Sequence, residues 1–333
     1  MRFSKMISTI DTHTMGEPTR IVTGVPRLRG DTMVEKKQFL IEHMDYVRTM
    51  LMHEPRGHRD MFGAIIAQPT TLGADLGVIF MDGGGYLNMC GHGTIGTVTA
   101  AIETGMLEAI EPYTEVLMDT PAGPVKARAH VAEGQVERVS FINVPSFSHR
   151  IDAEVDVPKI GKIVVDIAFG GSFFALVRAK DVGLKIIPEN AREFSWRGLL
   201  IRKAVNEQIS VEHPMMPRIK SVDLVKFYDE PESPEANARN VVVFGDGQVD
   251  RSPCGTGTCA KLATLYAKGM IKEGEEFVYE SILGTHFTGK IVGKMKMEGI
   301  EAVIPEITGS AYITGFNKLV IDDRDPVKYG FTL

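Results

Sequence analysis

The stretch MDGGGYLNMCGHGTIG, residues 81–96, decides how the rest of the chain is read, because residues 245–260, GDGQVDRSPCGTGTCA, repeat its plan. With Cys90 placed on Cys254, Gly91, Gly93, Thr94, Gly105 and Met106 fall on Gly255, Gly257, Thr258, Gly269 and Met270 at one constant offset. The apolar runs upstream, Val78-Ile79-Phe80 and Val242-Val243-Phe244, align at the same offset. The chain is an internal duplication. Each half presents one thiol from a turn-rich lead-in, followed by C-G-x-G-T and a short apolar run that closes on glycine. Two related halves with one thiol each suit a racemase, in which a proton leaves one face of a small substrate and another arrives on the opposite face.

A cysteine just before a helix N-terminus meets unpaired backbone N–H groups and the positive end of the helix dipole, which favour the thiolate. The same amides, lined up along Gly91, Gly93, Gly255 and Gly257, form concavities suited to a small carboxylate. A free cysteine is otherwise most often a buried small hydrophobe, and Cys259, inside the second helix opposite Ile95, is read that way. That reading fails for Cys90 and Cys254, because it does not explain the shared glycine frame. Gly91-x-Gly93-x-x-Gly96 also satisfies the dinucleotide fingerprint. That fingerprint needs a strand running directly into its first glycine and a βαβ unit, whereas here GGGYLNMC intervenes and hairpins follow. A P-loop is excluded by the missing Gly-Lys-Ser/Thr. No C-x₂-C or H-x₃-H spacing accompanies Cys90 and His92, so no metal site is expected.

The 333 residues suit two domains, and the duplication puts the divide near the middle. Hydrophobic content of 44% and charged content of 24% are those of a globular protein. A net charge of −6 argues against nucleic acid or an anionic membrane as partner. No apolar run is long enough to span a bilayer, and MRFSKMISTID lacks a signal peptide's hydrophobic segment, so the cytoplasm is the expected location. Three cysteines, an odd number, do not make a disulfide framework.

The opening residues predict two strands around a Gly16 turn, with Asp11, His13 and Glu17 as turn-capping and polar contacts. Residues 34–53 predict a helix with Leu40, Met44, Val47 and Leu51 on one stripe, ended by Pro55. Residues 94–104 are apolar all round, as in a buried helix, and Gly105 suits its C′ position. Hairpin strands follow at 113–118, 125–131 and 136–143. The second half predicts strands at 163–167 and 172–177 around Gly170-Gly171, a helix at 191–208 carrying Trp196, and strands at 222–228 and 241–244. An α+β fold with largely antiparallel or mixed sheet is expected. The halves should form a rigid pair with a cleft between them.

At these residues the sequence resembles the proline racemase family. MCGHGTIG and DRSPCGTGT match its paired signatures, and EPRGHRDMFG, FMDGGGYLNMCGHG, FGGSFFA, ESILGT and GSAYITGF match it as well, so the likeness runs nearly end to end. The resemblance implies a diaminopimelate-epimerase-like fold: two pseudo-symmetric domains, each wrapping mixed or antiparallel sheet around a central helix, with the active site in the interdomain cleft. Residues 1–150, with about the last 20 residues of the chain, would form the half carrying Cys90, and residues 151–310 the half carrying Cys254.

By the same resemblance Cys90 and Cys254 are the acid–base pair, and the amides of Gly91, His92, Gly255 and Thr256 cradle the carboxylate. His92 and Asp250 attend the ring nitrogen, and Phe62 and Phe244 close over the ring. Cys259 stands where the family has serine. The activity implied is cofactor-independent interconversion of L- and D-proline by an isomerase, expected to be a homodimer. The alternatives are a 4-hydroxyproline 2-epimerase, a trans-3-hydroxy-L-proline dehydratase, and a non-enzymatic amino-acid-binding protein. The dehydratases usually replace one cysteine, and the epimerases carry smaller or polar residues at the phenylalanine positions, so two cysteines and two phenylalanines favour proline.

Overall fold

The computed structural model describes residues 4–332; the first three residues of the expected opening strand lie outside the described residues. The chain divides into two compact units, one formed by residues 1–141 with 309–333, the other by residues 142–308.

In the first unit, β1 (Lys5–Thr14) and β2 (Glu17–Val22) form the hairpin that the Gly16 turn predicts. Gly16 has φ +102, and its amide donates to His13 Nδ1 at 3.2 Å. Asp11 is bound by the Arg20 guanidinium at 2.8 Å, so it and His13 serve the turn and its flank. The helix expected over 34–53 is two helices, α1 (Met33–His43) and α2 (Tyr46–Met52). A Thr32–Glu35 capping box starts α1, and the chain leaves helical geometry at Met44 (φ −139). The apolar stripe survives the break, since Leu40, Met44, Val47 and Leu51 are all buried. Both pieces turn the same side to the core, where Ile7, Val22, Ile65 and Ile79 meet them. Next come β3 (Phe62–Ala67), β4 (Leu76–Asp82), β5 (Tyr86–Leu87), α3 (Gly91–Glu103), and the meander β6 (Tyr113–Thr120), β7 (Gly123–Ala132) and β8 (Gln135–Ile142). β2–β3 and β4–β6 pair in parallel and the remaining neighbours antiparallel, giving a mixed sheet.

In the second unit, β9 (Phe147–Val157), β10 (Gly161–Phe169) and β11 (Phe173–Arg178) are antiparallel, and α4 (Ala191–Gln208) follows. β12 (Val222–Asp229) pairs in parallel with β11 and antiparallel with β13 (Ala238–Phe244), which continues into the short β14 (Gln248–Asp250). After α5 (Gly255–Ala267), β15 (Glu276–Ser281) lies parallel to β13, and β16 (His286–Met297) and β17 (Ile300–Gly309) complete an antiparallel meander. α4 packs Phe194, Ile201, Ala204 and Val205 inward and leaves Trp196 41% exposed. The chain then returns to the first unit through β18 (Ala311–Ile321), which pairs antiparallel with β1 from Lys5↔Ile321 to Thr14↔Ala311.

The helices that follow the two cysteines differ in kind from α4. Every residue of α3 from Gly91 to Ile102 is buried, with β1, β2, β3, β7 and β18 packed on it. α5 is buried from Gly257 to Leu265 and packs on β9, β10, β11 and β16. The all-round apolar pattern read at 94–104 is therefore that of a helix enclosed by strands. Gly105 and Gly269, at φ +73 and φ +69, end the two helices in the left-handed conformation that glycine adopts freely.

Candidate active site

Cys90 is the N-cap of α3, in extended backbone (φ −148, ψ 132). Its carbonyl accepts the Thr94 amide at 3.0 Å and the Thr94 hydroxyl at 2.7 Å, so the first intrahelical bond begins at Thr94. The amides of Gly91, His92 and Gly93 stand ahead of that bond and have no carbonyl of their own helix to bind. The Cys90 sulfur lies 3.2 Å from His92 Nδ1. Thr14 on β1 donates its hydroxyl to the His92 carbonyl at 2.8 Å, which fixes this turn to the sheet. Phe62, at the start of β3, sets its ring edge-on to the His92 imidazole with centroids 4.4 Å apart. A methyl on Gly93 would come within 2.7 Å of the Phe80 ring and 3.2 Å of Phe62. Glycine is needed there for close packing of the turn against two aromatic rings.

Cys254 is the N-cap of α5, and the Thr258 amide and hydroxyl bind its carbonyl at 2.8 Å each. Its backbone differs from that of Cys90, with φ +61 and ψ 101, a conformation that costs a non-glycine residue of order 1–3 kcal/mol. The surrounding contacts hold it. The Cys254 amide donates to Ser252 Oγ at 3.1 Å, and the Ser252 amide and hydroxyl both donate to Asp250 Oδ1 at 2.8 Å. Lys226, on β12, donates its ammonium to the Pro253 carbonyl at 3.1 Å. Thr256 Oγ1 is 3.8 Å from the Cys254 sulfur. Burial pushes the Cys254 thiol up to about 12; the Asp250 carboxylate adds to the rise, and the Lys226 ammonium and the Gly257 amide oppose it. Phe244 ends β13, half-buried, and its carbonyl accepts the Gly247 amide at 3.0 Å.

In the first unit the structure therefore gathers Cys90, Gly91, His92 and Phe62 at one turn, and in the second Cys254, Gly255, Thr256 and Asp250 at another. Cys259 is fully buried inside α5, and desolvation pushes its thiol to about 12 as well, a core position as expected. None of the three cysteines is in a disulfide. Among the described residues no group of three or more His, Cys, Asp or Glu side chains could hold a metal ion. Sequence reasoning missed Ser252 and Lys226. A lysine was detectable in principle, because Leu224 and Lys226 alternate with Val225 and Phe227 along a strand whose neighbours are apolar.

The family model described as proline racemase matches residues 9–332. The proline racemase of Clostridioides difficile is 58% identical over 334 residues, covering the whole of both chains. Proline racemase A of Trypanosoma cruzi is 50% identical over 352 residues, covering all of this chain and 83% of its own. Among solved structures, a hydroxyproline epimerase from Agrobacterium vitis with bound trans-4-hydroxy-L-proline superposes with a TM-score of 0.90 at 37% identity, covering 100% of this chain and 97% of that one. With both cysteine turns intact and the likeness unbroken from end to end, the chain belongs to the proline racemase family.

Proposed function

We propose that the protein is a cofactor-independent proline racemase in which Cys90 and Cys254 interconvert L- and D-proline. The observation that carries this reading is a cysteine retained at the N-cap of each of two enclosed helices, α3 and α5. One cysteine, as thiolate, takes the α-proton and becomes a thiol; the other gives its proton to the opposite face and becomes the thiolate. For the reverse direction the roles exchange. The electron pair left by the α-proton spreads onto the substrate carboxylate, where the amides of Gly91, His92, Gly255 and Thr256 would offset the growing charge. His92 and Asp250 would attend the ring nitrogen, and Phe62 and Phe244 would cover the ring.

A diaminopimelate-epimerase-like arrangement belongs to the same proposal, with pseudo-symmetric halves and the substrate held between them. The constant sequence offset supports it, as does the succession of antiparallel, parallel and antiparallel pairings in each unit. We also assign the protein to the cytoplasm as a homodimer. Among the described residues no helix is long and apolar enough to cross a membrane.

The likeness to a hydroxyproline epimerase favours 4-hydroxyproline as the second reading. Burying a 4-hydroxyl against phenylalanine without a partner costs about 1–3 kcal/mol. Proline should therefore be preferred by roughly ten- to a hundredfold in kcat/KM. Parallel assays on L-proline, trans-4-hydroxy-L-proline and trans-3-hydroxy-L-proline test this, with Phe244→Ser expected to move the ratio toward the 4-hydroxy substrate. Equal turnover of the 4-hydroxy compound by the unaltered protein would make it an epimerase, and loss of water from the 3-hydroxy compound would make it a dehydratase.

A further inference from the structure

The glycines that align at the two cysteine turns have different neighbours. Behind Gly93 stand the rings of Phe80 and Phe62, whereas behind Gly257 stands a cation. A methyl on Gly257 would lie 3.0 Å from the Lys226 ammonium and 3.1 Å from the Cys254 sulfur, so both groups line the same small space. Lys226 is fully buried. Its ammonium donates to the carbonyl of Pro253, the residue before Cys254, and sits 4.1 Å from the Tyr279 ring centroid. A buried ammonium is expensive unless something nearby gains from its charge. Its cross-strand neighbours, Leu176 on β11 and Val242 on β13, are apolar. The titratable and charged groups around it are Asp250 on β14, Cys254 before α5, Cys259 and Lys261 on α5, and Tyr279 on β15.

We propose that Lys226 is a positioning residue for Cys254: its ammonium holds the Pro253–Cys254 peptide in place and stabilises the thiolate that Cys254 must form whenever it acts as the base. The coupling is mutual. Burial pushes the ammonium down to about 8 and the thiol up to about 12, and each group's charge opposes the other's shift. In the first unit the atoms nearest the missing methyl of Gly93 belong to the Phe80 and Phe62 rings, where the second unit has an ammonium. The value of the thiolate to catalysis rests on the function proposed above. The ionisation itself is measured without substrate, so failure of one proposal is distinguishable from failure of the other.

The test uses the full chain carrying Cys90→Ser and Cys259→Ser, which leaves Cys254 as its one thiol, and follows the rate of iodoacetamide alkylation by mass spectrometry at pH 7, where the Lys226 ammonium is charged. Replacing Lys226 with Met should slow alkylation about tenfold or more, while Lys226→Arg should keep the rate. Circular dichroism verifies that each variant is folded. Should Lys226→Met fail to fold, Lys226→Gln, which keeps a donor for the Pro253 carbonyl without the charge, should slow alkylation instead. An unchanged or faster rate in the folded Met variant, or in Lys226→Gln where that variant decides, would overturn the proposal. So would equal slowing in the Met and Arg variants.

Discussion

Lys226 and Cys254 show how little of a buried site's cost is visible in residue type. Both are enclosed, and both are held in protonation states that burial shifts in opposite directions. Lys226, near 8 in the fold against an ordinary 10.5, makes the native state bind fewer protons than the unfolded chain across that interval. Stability from this group therefore rises as pH climbs from about 8 to 10.5. Cys254 and Cys259, at about 12 against 9.0, act in the opposite sense, and the stability they supply below pH 9 is lost as pH rises toward 12. Urea melts of Lys226→Met should accordingly show a midpoint at pH 7 no lower than that of the unaltered protein, with its advantage shrinking as pH rises to 10.5. A lower midpoint at pH 7 would mean that the ammonium supports the fold itself. In the sequence the duplication marks Cys90, Cys254, Gly91 and Gly255, and the family resemblance adds His92. Neither identified Lys226, which only folding brings to the cysteine, or Ser252, which lies in the motif but whose bonds to Asp250 and the Cys254 amide have no mark in residue type.

At the scale of elements, the strongest sequence signals were the most dependable. The helix read at 191–208 is α4 residue for residue, and α3 is enclosed as its all-round apolar run implied. Less was legible where periodicity weakens. The break at Met44 leaves the apolar stripe intact and so has no trace in the pattern, and β9 alternates buried and exposed residues only in its second half. FGGSFFA was readable as a turn but not for what it accommodates. A methyl on Gly170 would run into the carbonyl of Thr256 and the amide of Ala260, both backbone atoms of α5. The Asn143 side chain also binds the Gly170 carbonyl at 2.8 Å. Gly170→Ala must therefore displace the helix that carries Cys254, at a cost of about 1–3 kcal/mol. Its loss of activity should exceed what thermal unfolding at the assay temperature explains. Full activity in a destabilised Gly170→Ala protein would show that the turn sets stability alone.

For the molecule as a whole, the duplication was legible because it rests on a constant offset, whereas the return of the chain to the first half was implied by the family resemblance and left no mark of its own beyond strand pattern. That return matters: β18 pairs with β1 along its whole length, whereas β2 pairs with it only from Thr9 to Thr14. Met6, Tyr312 and Phe316 on this pair of strands are 59%, 56% and 68% exposed. Sedimentation equilibrium should give twice the chain mass, and a Tyr312→Asp, Phe316→Asp protein should sediment as a monomer if this face is the contact. A monomer from the unaltered protein would contradict the homodimer. The two-thiol reaction is tested most directly by incubating metal-free protein, with no pyridoxal phosphate, with L-proline in deuterium oxide and following the α-proton by NMR alongside optical rotation. Loss of the α-proton signal together with decay of rotation to zero is the expected result, with both abolished in Cys90→Ser and in Cys254→Ser and both retained in Cys259→Ser. Binding of proline without exchange at the α-carbon, or exchange that survives loss of either Cys90 or Cys254, would contradict it.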